Sequence, residues 1–572
     1  MIADNTFNDS TEISVHSLNE RFKTHGSKSF GGKICIFYCG NASPGGNNII
    51  DGLLKFQQQK KGLEILGILT GADGIEKESL IKITEESFAP YRNLGGYDYL
   101  GKSKDQLSDD HVDSLAKLCK KHGITGLVLV GATHSLTDAI KISEYFKTTK
   151  VDTNVVVVPA AIDGNIRHNY FQACIGFDTA AKIYSQLIGN MLTDSASAIK
   201  YWYFIRLMGR DPSILALECG LKTHPNMVIV SEECAYRGES LPDIVRRIAD
   251  LVVDRAQLGK NYGCVLIPEG LLAHVSAYKH LIQELNVIFR ESMKGDDRVK
   301  MFDQFYHDDN KARELLTPWS YSLFITLPDF MKRQIIYNQE FGGADINFSQ
   351  LETERLIAYF VDQELKKRKK AKQYNGSFAP VTHFFGYQGR SAHPSSFDCS
   401  LGSTCGFAAG VLLDSGVNGA AVAVKDVIKH PSQWRIGSVP ILALLRSQPK
   451  VGYARQALSV PSQEVELTDV AYQYHKSKER NWKMEDKYCN PGPIQYTDLG
   501  HDSVSESLRH LFSNESDVTE QIKGLCNAIH NQTLFNDHEH LLIAALSALK
   551  AAKGVLDSAN QNKIEKMDNI KF

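Results

Sequence analysis

The chain has 572 residues, which at roughly 100–200 residues per domain allows about three to five domains. Hydrophobic residues make up 43% and charged residues 23%, which excludes a wholly disordered chain. Lys+Arg (64) nearly balances Asp+Glu (66), a net charge of −2 that argues against a dedicated nucleic-acid binder. No apolar run approaches the ~18 residues of a membrane span, so neither nucleic acid nor membrane is an expected partner.

Residues 1–31 are polar and read as a flexible tail, without the apolar stretch of a signal peptide or the Arg-rich bias of a transit peptide. Short apolar runs follow at Lys33–Gly40, Ile65–Leu69, Gly126–Gly131, Asn154–Ala161, Met227–Val230, Gly263–Gly270 and Gly419–Val424. Such near-continuous runs suit parallel strands covered on both faces. Amphipathic helical stretches lie between them: His111–His122 ends at Gly123, and Thr137–Lys147 places Ala139, Ile142 and Phe146 on one face. Alternating strands and helices predict an α/β fold, with ligands bound beyond the carboxyl ends of the strands. Residues 271–375 and the region from about 500 onward read as mostly helical. The basic run Lys366–Lys370, preceded by Asp362 and Glu364, reads as a solvated helix end. Eleven cysteines form no CxxC pair. Cys35, Cys39, Cys119, Cys174, Cys219, Cys234 and Cys264 sit mostly in or beside apolar runs and are expected to be buried thiols, which places the chain in the cytoplasm.

Two stretches suggest chemistry. Cys39–Asn48 is a Gly-rich turn between a strand and a helix, where exposed backbone N–H groups suit phosphate, although a plain strand–helix turn reads equally well. No Gly-Lys-Ser/Thr follows, so it is not a Walker A loop. In Phe204–Arg210, two arginines bracket Leu-Met-Gly and suit bidentate contact with a sugar phosphate.

Gly176–Ala180, Phe204–Arg210, Ala216–Cys219 with Thr223–Asn226, and Pro268–Gly270 together resemble phosphofructokinases. Further matches at Gly95–Leu107, Thr317–Pro328, His383–Cys399 and Tyr488–Tyr496 make the chain more similar to the long, pyrophosphate-dependent type, over about residues 32–555. The resemblance is strongest to the plant alpha subunit, which pairs with a catalytic beta subunit. It implies two doubly wound phosphofructokinase-type α/β domains with helical insertions and a helical C-terminal region. The expected boundaries are 32–200 for the first domain, 201–270 with 376–470 for the second, 271–375 for a helical insertion and 471–572 for the C-terminal segment. The implied chemistry is phosphoryl transfer from pyrophosphate to the 1-hydroxyl of fructose 6-phosphate, with Mg²⁺ as cofactor.

Carried over position by position, the resemblance implies that the sugar-phosphate side is kept: Met208, Gly209, Arg210, Glu269, Tyr387 and Arg390, with Arg206 nearby. The donor side departs from the family pattern. The first loop's usual Ser-Gly-Gly reads Cys39-Gly40-Asn41, and the second loop's Gly-Gly-Asp reads Gly131-Ala132-Thr133, followed by His134. The third loop's Pro-Lys-Thr-Ile-Asp-Gly-Asp reads Pro159-Ala160-Ala161-Ile162-Asp163-Gly164-Asn165. Asp163 keeps the position of the catalytic base, whereas the cation is Ala160, the hydroxyl Ala161 and the second carboxylate Asn165. Lys104 falls where the family often has an Arg near the donor phosphates, and no metal ligand set is predicted.

A regulatory-type subunit follows as the expectation. It would bind fructose 6-phosphate or fructose 2,6-bisphosphate and act through a catalytic paralogue in a hetero-oligomer, or through its own copies. Two alternatives stay open: an active enzyme with altered donor chemistry, in which Arg167 or His168 replaces the lost cation, and a scaffold protein that binds no sugar.

Overall fold

The structure, a computed structural model, describes residues 13–14, 32–102, 107–166, 171–210, 212–291, 305–337, 348–448 and 457–494. In the first part of the chain the strands are β1 (Ile13–Ser14), β2 (Lys33–Tyr38), β3 (Glu64–Ile68), β4 (Leu80–Lys82), β5 (Ile124–Gly131) and β6 (Asn154–Pro159). They continue with β7 (Trp202–Leu207), β8 (Met227–Val228), β9 (Gly263–Pro268), β10 (Pro380–Phe385), β11 (Ala420–Lys425) and β12 (Arg435–Pro440).

Two sheets organise them. An eight-stranded sheet runs β1-β12-β11-β6-β5-β2-β3-β4, and a four-stranded sheet runs β10-β7-β9-β8. The central pairs β3/β2, β2/β5, β5/β6 and β6/β11 are parallel, and the second sheet is parallel throughout. Antiparallel pairing is confined to the margins of the first sheet, at β3/β4, β11/β12 and β1/β12. The apolar runs fold this way because both of their faces are covered: Ile34, Cys35, Ile36 and Phe37 are all fully buried.

The helices obey local signals. Helix Asp109–His122 opens with Ser108, whose hydroxyl accepts the His111 N–H, and carries Asp109 and Asp110 in its first turn. It closes with Lys120, Lys121 and His122 before Gly123 at φ 66°. The basic run lies at the end of helix Thr353–Lys370, where Arg368 pairs with Asp250 at 2.6 Å and Lys366 with Asp362 at 2.5 Å, as a solvated helix end should.

Three organisational expectations are corrected. Residues 376–470 do not form a continuous part of the second domain: only β10 joins the second sheet, and β11 and β12 belong to the first. The apolar run of β11 finds its partner in β6, on the first sheet's open side. Residues 271–375 are helical where described, but they are more than an insertion. Tyr278, Leu281, Met331, Ile335, Leu356 and Ile357 share one core with Trp202, Phe204, Val265 and Ile267 of the second sheet. Of the C-terminal segment, helix Val470–Met484 also packs on the second domain, where Trp482 stacks on His224 at 4.4 Å. Residues 1–12, 15–31 and 495–572, which hold most of the expected tail and C-terminal helices, lie outside the described residues.

The return from β10 to β11 runs through helix Ser396–Asp414, which is long and apolar enough to cross a membrane by length and composition, yet two-thirds of it is buried in the fold. It lies against helix Gly46–Gln59 at backbone contact. A Cβ on Gly406 would sit 2.0 Å from the Ile49 carbonyl oxygen, and one on Gly402 would sit 2.5 Å from that of Gly45. From the opposite helix, a Cβ on Gly52 would sit 2.0 Å from the Ser403 carbonyl oxygen. Glycine is required here for closeness of approach. Gly406→Val should therefore cost about 3 kcal/mol, the upper end for overpacking. The expected outcome is roughly 100-fold faster amide hydrogen exchange in helix 396–414, and unchanged protection would contradict this packing account.

Candidate active site

The ends of β2, β5 and β6 carry the three loops of the donor side. The first and second touch: a Cβ on Gly40 would lie 3.4 Å from the Gly131 Cα, and the Cys39 N–H donates to the Val130 carbonyl at 2.9 Å. The N-terminus of helix Gly46–Gln59 is not an open anion cradle, as the Gly-rich turn suggested. Gly45 and Gly46 are buried, a Cβ on Gly46 would lie 2.2 Å from the Tyr97 ring, and Tyr97 stacks on Tyr38 with centroids 3.8 Å apart. Asn41 remains partly exposed, and its Oδ1 accepts a hydrogen bond from Lys102 Nζ at 2.8 Å.

In the second loop Thr133 is buried, and it and His134 are the first two residues of helix Thr133–Thr148. His134 is thus an exposed helical residue, not a loop residue. The third loop is clamped by Ile175: the Ile175 N–H donates to Pro159 O at 3.4 Å, and Ile175 O accepts from the Ala161 N–H at 3.0 Å. Ala160, Ala161, Asp163 and Asn165 are all buried, and Ala161 packs in the apolar cluster with Ile166, Phe171 and Cys174. Gly164 turns the chain at φ 69°, with the Phe177 ring 2.8 Å from where a Cβ would stand. Among the described residues Asn165 Oδ1 is enclosed without a hydrogen-bond partner.

The family's Mg²⁺ meets a poor donor set here. Asp163 is the one carboxylate among Thr133, Ala160, Ala161, Asp163 and Asn165, and among the described residues no three His, Cys, Asp or Glu side chains group as a metal site. These positions do not fit a carboxylate-rich hard-cation site. Lys104, Arg167 and His168 lie outside the described residues.

The ends of β7, β9 and β10 carry the opposite side. Here the Met208-Gly209-Arg210 turn is held firmly. The Met208 N–H donates to Phe385 O at 3.0 Å, and the N–H groups of Gly209 and Arg210 both donate to Glu269 Oε2 at 2.9 Å. Arg210 adopts φ 48°, a conformation these bonds sustain. Glu269 is itself buried, and its other oxygen accepts from the Ser349 hydroxyl. Glu269, expected at the substrate, also shapes the arginine turn through its carboxylate.

Arg206 lies in a closed ion pair. Its guanidinium is buried, pairs with Glu354 at 2.5 Å, donates to the Ser349 carbonyl and lies 3.8 Å from the Phe384 ring centroid. Burial holds the Glu354 carboxyl above its ordinary range, opposed by the Arg206 charge. Arg206 therefore ties β7 to the 349–354 segment and is no open sugar clamp.

Tyr387 and Arg390 form a single helical turn after β10. Tyr387 is exposed, and the Arg390 guanidinium lies 5.5 Å from its ring centroid. Tyr184, which sequence reasoning missed, sets this turn by donating to the Gly386 carbonyl at 2.6 Å. Burial raises its pKa. Its signal was available in the helical spacing of Phe177, Ala181, Tyr184 and Ile188.

One buried carboxylate joins these parts. Asp398 accepts from the Gly176 N–H at 2.8 Å and from the Thr179 N–H and hydroxyl at 2.9 and 2.5 Å. Desolvation, then the neighbouring Asp178 charge, pushes Asp398 up to about 7, against the pull of those three bonds.

The comparisons with known proteins agree with this layout. The phosphofructokinase pattern matches residues 33–308. Subunit alpha 1 of the Arabidopsis thaliana pyrophosphate–fructose 6-phosphate 1-phosphotransferase is 36% identical over 544 residues, covering 93% of this chain and 85% of that protein. The chain belongs to the pyrophosphate-dependent phosphofructokinase family. Subunit beta 1 of the same plant is 34% identical over 478 residues, covering 83% of this chain and 82% of its own. The similarity is thus greater to the alpha type. The fold is also that of a pyrophosphate-dependent phosphofructokinase from Nitrosospira multiformis, with a TM-score of 0.50 at 16% identity over 82% of this chain and 96% of that one.

Glu269→Gln removes the charge that both turn amides share. Losing charge-assisted bonds of this kind costs about 1–3 kcal/mol. The expected outcome is a lower thermal midpoint and faster amide exchange at Gly209 and Arg210, and unchanged exchange there would refute the positioning role.

Proposed function

We propose that this chain is a regulatory-type subunit of a pyrophosphate-dependent phosphofructokinase. In this reading it binds fructose 6-phosphate or fructose 2,6-bisphosphate and transfers phosphoryl groups weakly or not at all on its own. Its partner is a catalytic paralogue, and the naming of its relatives as alpha and beta subunits supports a hetero-oligomer.

The observation that carries the reading is the asymmetry of the cleft. On one side a buried glutamate fixes the backbone of an arginine turn. On the other, Thr133, Ala160, Ala161 and Asn165 are neutral and buried. Phosphoryl transfer relies on positioning and on stabilising developing charge, so losing the cation and a carboxylate together removes its largest contributions. Ligand on the kept side would then bias the partner through the shared assembly, with two sites and two states as such coupling requires.

Asp163 supports a second reading, an active phosphotransferase with altered donor chemistry. It keeps the base position in a turn fixed by Gly164. If Asp163 acts as a base, it must lie within hydrogen-bond reach of the sugar hydroxyl once substrate binds.

The test is an assay of the purified chain with fructose 6-phosphate, Mg²⁺ and either pyrophosphate or ATP. No measurable turnover alone, with stimulation of a beta-type subunit on mixing, is expected. Turnover at rates usual for the family, abolished by Asp163→Ala, would establish the second reading instead. The combined reversal Thr133→Asp, Ala160→Lys, Ala161→Thr and Asn165→Asp should raise kcat by about 10²-fold or more, the scale of one well-placed electrostatic group.

A further inference from the structure

Two enclosed carboxylates meet where helix Phe177–Ala198 joins helix Ser396–Asp414. Asp178 stands in the first turn of one helix and Asp398 in the first turn of the other, and both are buried. Lys182 Nζ pairs with Asp178 Oδ2 at 2.6 Å, and among the described residues it is the cation paired with either carboxylate. Asp178 Oδ1 is enclosed there without a hydrogen-bond partner. Two buried negative charges beside one positive charge are costly, and taking up a proton removes the excess.

The hydroxyl groups between them point the same way. Ser395, the cap of helix 396–414, donates its hydroxyl to Asp178 Oδ2 at 2.7 Å and accepts the Asp398 N–H at 3.2 Å. The Thr179 hydroxyl accepts the Ser395 N–H at 3.0 Å and has two acceptors in reach, Asp398 Oδ2 at 2.5 Å and Ser395 Oγ at 3.4 Å. A hydroxyl has one proton to give, so with both carboxylates ionised only one of these contacts is a bond. A proton on Asp398 Oδ2 makes bonds of both: the carboxyl donates to Thr179, Thr179 to Ser395, and Ser395 to Asp178. The Gly176 and Thr179 N–H groups keep their acceptors on Asp398 in either state.

The other groups facing this joint are fixed in charge. Cys399 on the same helix as Asp398, and Cys174 ahead of helix 177–198, both feel the Asp398 charge, with Asp51 also acting on the first and Asp163 on the second. Burial pushes Cys399 up to about 12 and raises Cys174 as well, so both thiols stay neutral near pH 7. From the first turn ahead of helix 46–59 the contact is backbone: a Cβ on Gly45 would lie 2.8 Å from the Asp398 carbonyl oxygen. On that helix Asp51, against desolvation, is held below the usual carboxylate range by Lys55, Ser403 and Arg92.

We propose that the Asp178–Asp398 pair holds one proton, on Asp398, and that its release as the pH rises is a switch that loosens the joint between helices 177–198 and 396–414. Release breaks the hydroxyl chain and leaves two like charges enclosed between the helices. The switch reaches the Tyr387–Arg390 turn, because Tyr184 of helix 177–198 holds the Gly386 carbonyl and a Cβ on Gly389 would stand 2.5 Å from the Tyr184 hydroxyl. It needs no ligand and stands apart from the binding reading above.

The sign of the pH dependence follows. An aspartate in the unfolded chain titrates near about 4, whereas desolvation and the Asp178 charge hold Asp398 up to about 7 in the fold. The folded chain keeps a proton that the unfolded chain releases, so this pair's contribution to stability is lost as pH rises through that window and is level above it.

The test compares thermal and denaturant unfolding of the full chain with its Asp178→Asn variant across that pH range. The amide oxygen of the variant still accepts from Lys182 and Ser395, while one charge is gone. The wild-type folding equilibrium is expected to fall relative to that of Asp178→Asn by at least about tenfold as pH rises from about 5 to about 8, since one proton shifts it up to tenfold per pH unit. A ratio that stays constant with pH would overturn the proposal. A second readout uses the wild-type chain alone, so it holds even if the variant does not fold: infrared spectra with isotope-labelled aspartate side chains. A buried protonated-aspartate band below neutral pH that disappears above it is expected, and its absence from the folded chain would overturn the proposal.

Discussion

The backbone contact between helices 46–59 and 396–414 is the constraint on which the site depends. The chain leaves the second sheet after β10, makes the Tyr387–Arg390 turn and then must return to the first sheet at β11. The returning helix can lie at that depth because Gly402, Gly406 and Gly52 leave no side chain in the contact. The same helix carries Asp398, whose carboxylate holds the start of helix 177–198, and that helix carries Tyr184 back to the Gly386 carbonyl. A closed circuit of packing and hydrogen bonds thus sets the arginine turn against the donor loops.

Within that frame the two sides of the cleft have diverged in kind. The sugar-phosphate side spends buried charge on geometry: Glu269 on the Gly209–Arg210 backbone, and Arg206 and Glu354 on each other. A buried pair like the last is costly to desolvate and gives little net stability, but removing either partner would strand a charge. The loops beyond β2, β5 and β6 keep their backbone bonds, and Asp163 is the carboxylate that stands in the third of them. There the Ala160 N–H donates to Gly131 O and the Ala161 N–H to Ile175 O, both at 3.0 Å.

Much of this was readable from the residues. Seven strands, β2, β3, β5, β6, β8, β9 and β11, were visible as apolar runs because parallel strands bury both faces, whereas β7 and β10 of the second sheet were not among those runs, and the substituted loops were visible as a broken motif. What sequence could not show was partnership. Arg206 looked like an open clamp because charge in a motif carries no direction, and only the fold shows it paired with Glu354. The split of 376–470 between two sheets depends on the β6/β11 pairing, a contact between segments more than 250 residues apart.

The most direct test of a kept sugar side beside a lost donor side is hydrogen-exchange mass spectrometry on the full chain with each ligand separately. The account predicts that fructose 6-phosphate slows exchange at Met208–Arg210 and at 386–390, while Mg²⁺ with pyrophosphate leaves 159–165 as in the free protein. Protection of 159–165 by Mg²⁺ and pyrophosphate, with none at 208–210 from the sugar phosphate, would contradict it.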